Sequence, residues 1–457
     1  MSTISSTGIG SGLQIDDLVS KLVAAERAAG QTRIDNKKGK LTEQFSAMAT
    51  LMGGMSAFQA SLNSLVTAGS FTSRKVSVSD EKAFTAKAGS SAAAGSYDVQ
   101  VQQLAKAAQL GSDAFASAST AVGTGKLTIS VGDSSFDIDV AEGGNSVANI
   151  RDAINKSSAN KGVQASLLTD VEGTHLVLTS VKTGVDYALK VTTTGGDGGL
   201  EKLVYDPDGT KNMEVRSEAK DAIVFVSGYE IHSSSNTVSN AIEGVTLTLK
   251  APTAEDSTVL LSVDRDDTAI QEAAKKFVDA YNSLASTIKT LSKYDVGTDT
   301  GGPLLGDAML RNIDAQVRKL ISSPVAGVTG SYTTLASLGI TTQADGKLKL
   351  DTVRFNAALD ASPGAVSDIF TSSNGVAIKL ADLMGAKTSS TGELTVRSSN
   401  ITDSLVDLKD QQDALNARMK VIEQRYYKQF NALDSLLAQM NTTATSLDNW
   451  LAQNKKD

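Results

Sequence analysis

The strongest constraint on this chain is a seven-residue apolar rhythm carried near both of its ends. From Ile401 onward one heptad position reads Ile401, Leu408, Leu415, Ile422, Gln429, Leu436, Thr443 and Trp450. The other reads Leu405, Gln412, Met419, Tyr426, Leu433, Met440, Leu447 and Asn454. Twelve of these sixteen positions are apolar, and the 54 residues they span hold neither proline nor glycine. The pattern predicts a coiled-coil or bundle helix about 80 Å long at roughly 1.5 Å per residue. Near the other end, Leu41, Phe45, Met48, Met52, Met55, Gln59, Leu62 and Val66 recur at alternating spacings of four and three. A helix striped along one side needs a partner, which is either the other terminal helix or a neighbouring subunit. Period alone does not separate this from an ordinary bundle core.

The material between the ends belongs to a different class. Ile15, Leu18, Val19, Leu22 and Val23 form a first helical stripe after the Gly8 to Gly12 lead, with Asp16 and Asp17 where a helix start favours carboxylates. Gly30, Gly39 and the lysines between them predict a break over 30–40, and the second stripe closes at Gly69. After Phe71 the period switches to two, as in Tyr97, Val99 and Val101. Leu127, Ile129 and Val131, a turn at Gly132-Asp133, Phe136, Ile138 and Val140, a helix capped by Asn145 or Ser146, and two more strands around Glu172-Gly173 make a ββαββ unit. Strands return from Ala222 to Asp264, and a Thr268/Gln271 capping box opens a helix striped by Ile270, Ala274, Phe277, Tyr281, Leu284, Ile288 and Leu291. The mixed region that follows has one helix stopping before Pro324, another capped by Asp351, and a third starting at Ser362-Pro363.

The expected fold is therefore an α+β multidomain chain in nested layers. Terminal coiled-coil helices take 1–39 and 420–457, and a helical domain takes 40–70 and 268–419. A β-rich domain takes 71–121 and 219–267, and a distal ββαββ-type domain takes 122–218. A length of 457 residues accommodates about three cores.

Composition excludes several function classes. A net charge of −8 without a basic stripe argues against nucleic acid as a partner. The absence of cysteine removes disulfides and thiolate metal sites. The first twelve residues have neither a basic n-region nor an apolar h-region, and no apolar run approaches about 20 residues, so the chain is expected to be neither Sec-targeted nor membrane-embedded. The two histidines, His175 and His232, sit in strand-like contexts without a second ligand, and are read as satisfied or exposed strand histidines. Gly8, Gly10 and Gly12 miss the dinucleotide-loop spacing, and no strand precedes them. Asp206-Pro207-Asp208-Gly209 lacks the ligand series of a calcium loop and reads as a β-turn. No catalytic residue, cofactor site or metal site is assigned.

Several blocks, in one order along the chain, resemble the flagellar filament cap family, hook-associated protein 2. They are Gly8 to Val19, Ala24-Ala25-Glu26-Arg27, Tyr97 to Ala105, Ser234 to Val238 with Gly244 to Leu249, Phe277 to Asn282, Gly302 to Asp307, and Arg425 to Phe430 with Leu433-Asp434. Residues 122–218 match least specifically. The resemblance implies a non-enzymatic assembly factor, secreted through the flagellar type III export apparatus with the help of an export chaperone. It would form a homo-oligomeric ring at the distal tip of the bacterial flagellum, where it promotes folding and polymerisation of flagellin, and so filament growth and motility. An adhesin and a flagellin-like or hook-junction subunit are the other classes compatible with polar β-rich insertions. The residues expected to form the assembly interface are Ile15, Leu18 and Leu22 on the first stripe and Ile422, Tyr426, Leu433, Met440 and Leu447 on the last.

Overall fold

The computed structural model describes residues 14–67, 69–297 and 299–454, and the chain divides into two compact units. The Gly8 to Gly12 lead lies outside the described residues.

The helical unit comprises residues up to Phe71 and those from Gln271 onward. Its first element, α1 (Ile15–Thr67), is one unbroken helix of 53 residues. The break expected over 30–40 is absent: Gly30 and Gly39 both lie inside the helix. Gly30 faces α8, introduced below, where a Cβ would stand 3.3 Å from Leu415 Cδ1, so the missing side chain lets the helices approach. The buried stripe of the second half is Met48, Leu51, Met55, Phe58, Leu62 and Leu65, whereas Phe45 is exposed. Met48, Met55 and Leu62 of the expected stripe are buried, whereas at the adjacent apolar pairs Leu51/Met52 and Leu65/Val66 packing buries the first member and leaves the expected second one half-buried.

A short helix, α2 (Val147–Lys156), belongs to the second unit. Next come α3 (Asp267–Ser292), α4 (Ala308–Ser322), α5 (Thr352–Ala361), α6 (Pro363–Thr371) and α7 (Val376–Thr388). The last is α8 (Glu393–Asn454), 62 residues long. All seven expected stripe residues of α3 are buried. Its cap, however, is Asp266, whose carboxylate accepts from the Ala269 amide at 3.0 Å, one residue before the helix rather than at Thr268. Phe71 stacks on Phe370 with ring centroids 4.0 Å apart, and Phe277 meets Phe370 edge-on at 5.3 Å, so three separate segments close one aromatic core.

The β-rich unit, Thr72–Ile270, contains two hydrophobic cores. Its strands in chain order are β1 (Arg74–Val78), β2 (Phe84–Ala88), β3 (Gly95–Gln103), β4 (Ala107–Gly111), β5 (Gly125–Val131), β6 (Ser134–Val140), β7 (Val163–Thr169) and β8 (Thr174–Thr183). They continue as β9 (Leu189–Thr194), β10 (Glu214–Ser217), β11 (Ala222–Val226), β12 (Tyr229–Ser233), β13 (Thr237–Ile242), β14 (Val245–Leu249) and β15 (Val259–Arg265). One core lies against the sheets β1-β15-β3-β11-β12 and β13-β14-β2, which join strands from both sides of the inserted segment. The other lies against β10-β4-β8-β7 and β6-β5-β9, with α2 capped by Ser146. Ala108, Leu110 and Phe115, placed by sequence in the 71–121 segment, are buried in this second core. The ββαββ order is observed, but its two hairpins occupy different sheets, each completed by strands from outside the motif.

Candidate assembly interface

The two terminal helices pair antiparallel. As α1 positions rise from Asp16 to Arg27 to Gln31, their α8 partners fall from Tyr427 to Asn416 to Gln412. Gln31 and Gln412 exchange amide hydrogen bonds at 2.7 and 2.9 Å. Arg27 donates to Asn416, one α8 turn further on. Burial, then the Asp16 carboxylate hydrogen-bonded to it, pushes the Tyr427 phenol up from its ordinary range. The seam is thus apolar at Ile15, Val19, Ile34, Leu408, Met419 and Ile422, all buried, with a polar layer inserted at Gln31/Gln412. Gln412 is a seam position of the heptad, but its partner Gln31 lies in the stretch whose glycines predict a break, so the layer has no signal in the sequence.

This register decides where the expected interface residues fall. Ile15 and Ile422 are buried in the pair, Leu18 and Tyr426 are half-buried, and Leu22 is 36% exposed. The described part of α1 begins level with Tyr427, so the three remaining positions project past it. Leu433, Met440 and Leu447 are 42%, 59% and 58% exposed, and Leu436 and Trp450 are similarly open. Within one chain the structure therefore brings the first stripe to the level of Ile422 and Tyr426, not to that of Leu433, Met440 and Leu447.

The projecting stretch, 430–454, is about 36 Å long at about 1.5 Å per residue. Its only charged residues are Asp434 and Asp448. Thr442, Thr443 and Thr445 turn their hydroxyls back onto the carbonyls of Ala438, Gln439 and Asn441, each at 2.8 Å. Such back-bonding and a threonine-rich turn give little intrinsic helix stability. The projecting stretch thus combines low charge with an open apolar face.

The comparisons with known proteins agree with this architecture. Models described as Flagellar hook-associated protein 2 N-terminus and C-terminus match residues 11–108 and 219–442, and a Flagellin hook IN motif matches 126–182. A B-type flagellar hook-associated protein 2 of Pseudomonas aeruginosa is 34% identical over 98% of this chain and 97% of its own length. The chain belongs to the flagellar hook-associated protein 2 family. The Escherichia coli member is likewise 34% identical, over 98% of both chains. A crystal structure of the D1-D2-D3 domains of the Escherichia coli flagellar cap protein FliD matches with a TM-score of 0.71 at 33% identity, over 78% of this chain and 99% of that one. The motif match over 126–182 falls on the segment where block resemblance was least specific. No described helix is long and apolar enough to cross a membrane.

Proposed function

We propose that this protein is the cap of the bacterial flagellar filament, a non-enzymatic factor at the distal tip that promotes folding and polymerisation of exported flagellin. Family membership over the whole chain supports the cap reading over an adhesin or a junction subunit. The observation that carries the mechanism is the open apolar face of α8 beyond its pairing with α1. Burying one leucine of this kind is worth about 1.5–3 kcal/mol, so several together stabilise an intersubunit seam. Coupling that burial to ordering of the weak threonine-rich stretch makes docking and folding one event.

In this reading Leu433, Met440 and Leu447 are covered in the assembled tip by the more open Leu18 and Leu22 side of the first stripe of neighbouring copies, while Ile15, Ile422 and Tyr426 hold the pair within each chain. A closed homo-oligomeric ring satisfies such seams at low cost. The four layers read from the sequence belong to the same proposal, with the boundary between the two β-rich layers before Ala107 rather than after residue 121, and so does export by the flagellar type III apparatus with a chaperone. Deleting the gene tests the function: hooks without filaments, with unpolymerised flagellin in the medium, are expected. Filaments of normal length from the deletion strain refute it.

A further inference from the structure

Outside the helical seam, His175 is one of four buried polar residues among those described, with Ser112, Thr174 and Ser180. It lies at the start of β8, only 8% exposed, in the second core's four-stranded sheet. Its Nδ1 is 2.8 Å from the backbone carbonyl oxygen of Ser112, and its Nε2 is 3.3 Å from Asp170 Oδ1. Both neighbours are acceptors. A neutral imidazole has one N–H and can satisfy only one of them, leaving the other nitrogen's lone pair against an oxygen; the doubly protonated ring donates to both.

The groups that it joins are parts of one junction. Asp170 Oδ1 also accepts from the Glu172 and Gly173 amides, at 2.8 and 3.2 Å, and so organises the turn of the β7–β8 hairpin. Ser112 is buried, and its hydroxyl accepts from the Leu176 amide at 2.9 Å. Phe115 and Thr174 exchange backbone hydrogen bonds at 2.9 and 2.8 Å. Gly173 adopts φ 144°, and a Cβ there would stand 2.4 Å from the Phe115 carbonyl oxygen, so this crossing admits only glycine. The hairpin tip so held carries Val171, which is fully exposed.

We propose that His175 is a proton-operated latch, fastening the Asp170–Gly173 turn to the Ser112–Phe115 segment when its imidazole carries both protons and loosening that crossing when it loses one. The charged groups facing the ring are the Asp170 carboxylate, the Glu172 carboxylate that lies in the same cluster, and the Arg216 guanidinium. The Ser112 carbonyl first, and Asp170 after it, raise the imidazole's pKa from its ordinary value, against burial and Arg216, which lower it. Asp170 is held below the ordinary carboxylate range by the Glu172 amide first, with further help from His175 and the Gly173 amide, against partial desolvation. The signs give a window. The histidine's contribution is complete below the ordinary imidazole pKa and is lost as pH rises through its raised value; the carboxylate's is lost as pH falls through its lowered one. The latch is therefore shut below the ordinary imidazole range and opens as pH rises through the raised value.

Only two histidines are present, which makes the test clean, because His232 is exposed with Glu230 as its one partner at 2.9 Å. Imidazole resonances of the full chain are followed from about pH 5.5 to about pH 8.5, the range in which histidine titrates. Amide exchange is followed over the same range for Gly173 and Leu176, corrected for the intrinsic pH dependence of exchange. His175 is expected to titrate above the ordinary imidazole value, and protection of both amides to fall roughly threefold or more as it does so. Asp170→Asn keeps an oxygen for the turn amides but removes the charge, and should move the His175 midpoint down and flatten the protection profile. A His175 midpoint at or below the ordinary imidazole value, pH-independent protection in the unmodified chain, or an unchanged profile in Asp170→Asn would each overturn the latch.

Discussion

Gly30 and Gly39 lie in the same helix, and their neighbourhoods set opposite expectations. A Cβ at Gly39 meets nothing within 4 Å, so Gly39→Ala should stabilise the helical unit by about 0.5–1 kcal/mol through helix propensity alone. At Gly30 the new methyl presses on Leu415 at 3.3 Å, which offsets that gain, and Gly30→Val should lower the melting temperature by wedging α1 from α8. Thermal melting of the two variants and the unmodified chain by circular dichroism checks the order Gly39→Ala above unmodified chain above Gly30→Val. Asp307 offers a second residue-scale test. Its carboxylate caps α4 through the Leu310 amide at 3.0 Å and pairs with Arg397. Burial pushes its carboxyl up, but the Leu310 amide and the Arg397 guanidinium outweigh that and hold it below the ordinary range. Its contribution is present above the ordinary carboxylate pKa and disappears as pH falls through the lowered one. Asp307→Ala should cost about 2–3 kcal/mol near neutral pH, from the lost cap and the stranded Arg397, and markedly less in acid. Urea denaturation at neutral and acid pH measures both; an equal loss at the two would remove the electrostatic account.

At the scale of elements, periodicity was legible where one face of a helix is buried over many turns. The whole α3 stripe, the Pro363 start of α6 and the Asp351 cap of α5 were all visible in sequence. The Asp206 turn was visible too, and its carboxylate is occupied by Lys190 at 2.7 Å. What local sequence could not express was the partner. Gly30 looks like a helix breaker until Leu415 is placed on it, and Gln31 looks like loop chemistry until Gln412 faces it. The same limit hid the sheet assignment of the ββαββ hairpins, because strands far away in sequence, such as β4 and β9, complete their sheets. The Gln31/Gln412 layer has a measurable consequence, since a polar pair within an apolar seam fixes register at a cost in stability. Replacing both by leucine should raise the melting temperature while broadening distances between spin labels on α1 and α8. Gln31→Leu alone, which removes the cross-helix partner of Gln412 and leaves it Asn416 on its own helix, should cost about 1 kcal/mol. A sharp distance distribution in the double variant would show that shape, not the amide pair, sets the register.

For the whole molecule, the separation of buried from exposed seam positions along α8 turns the proposed cap mechanism into a paired experiment. Met419 is 5% exposed and packs inside the chain, whereas Leu433 is 42% exposed and lies past the described end of α1. An aspartate at Met419 must be buried or break the pair, so Met419→Asp should destabilise the isolated protein by several kcal/mol, on the order of a large core substitution. Leu433→Asp meets mostly solvent in the single chain and should shift the monomer's stability by about 0.5 kcal/mol or less. In the assembled tip, however, each copy of Leu433→Asp loses the roughly 1.5–3 kcal/mol of a buried leucine and places a charge in the seam. A symmetric ring repeats that loss at every interface. Sedimentation should therefore show a weaker oligomer with an unaltered folded monomer, and cells carrying the variant should have absent or short filaments while still exporting it. The two readouts must separate in this way for α8 to act as an assembly surface. Normal oligomers and filaments from an exported Leu433→Asp chain would assign the exposed face no part in docking.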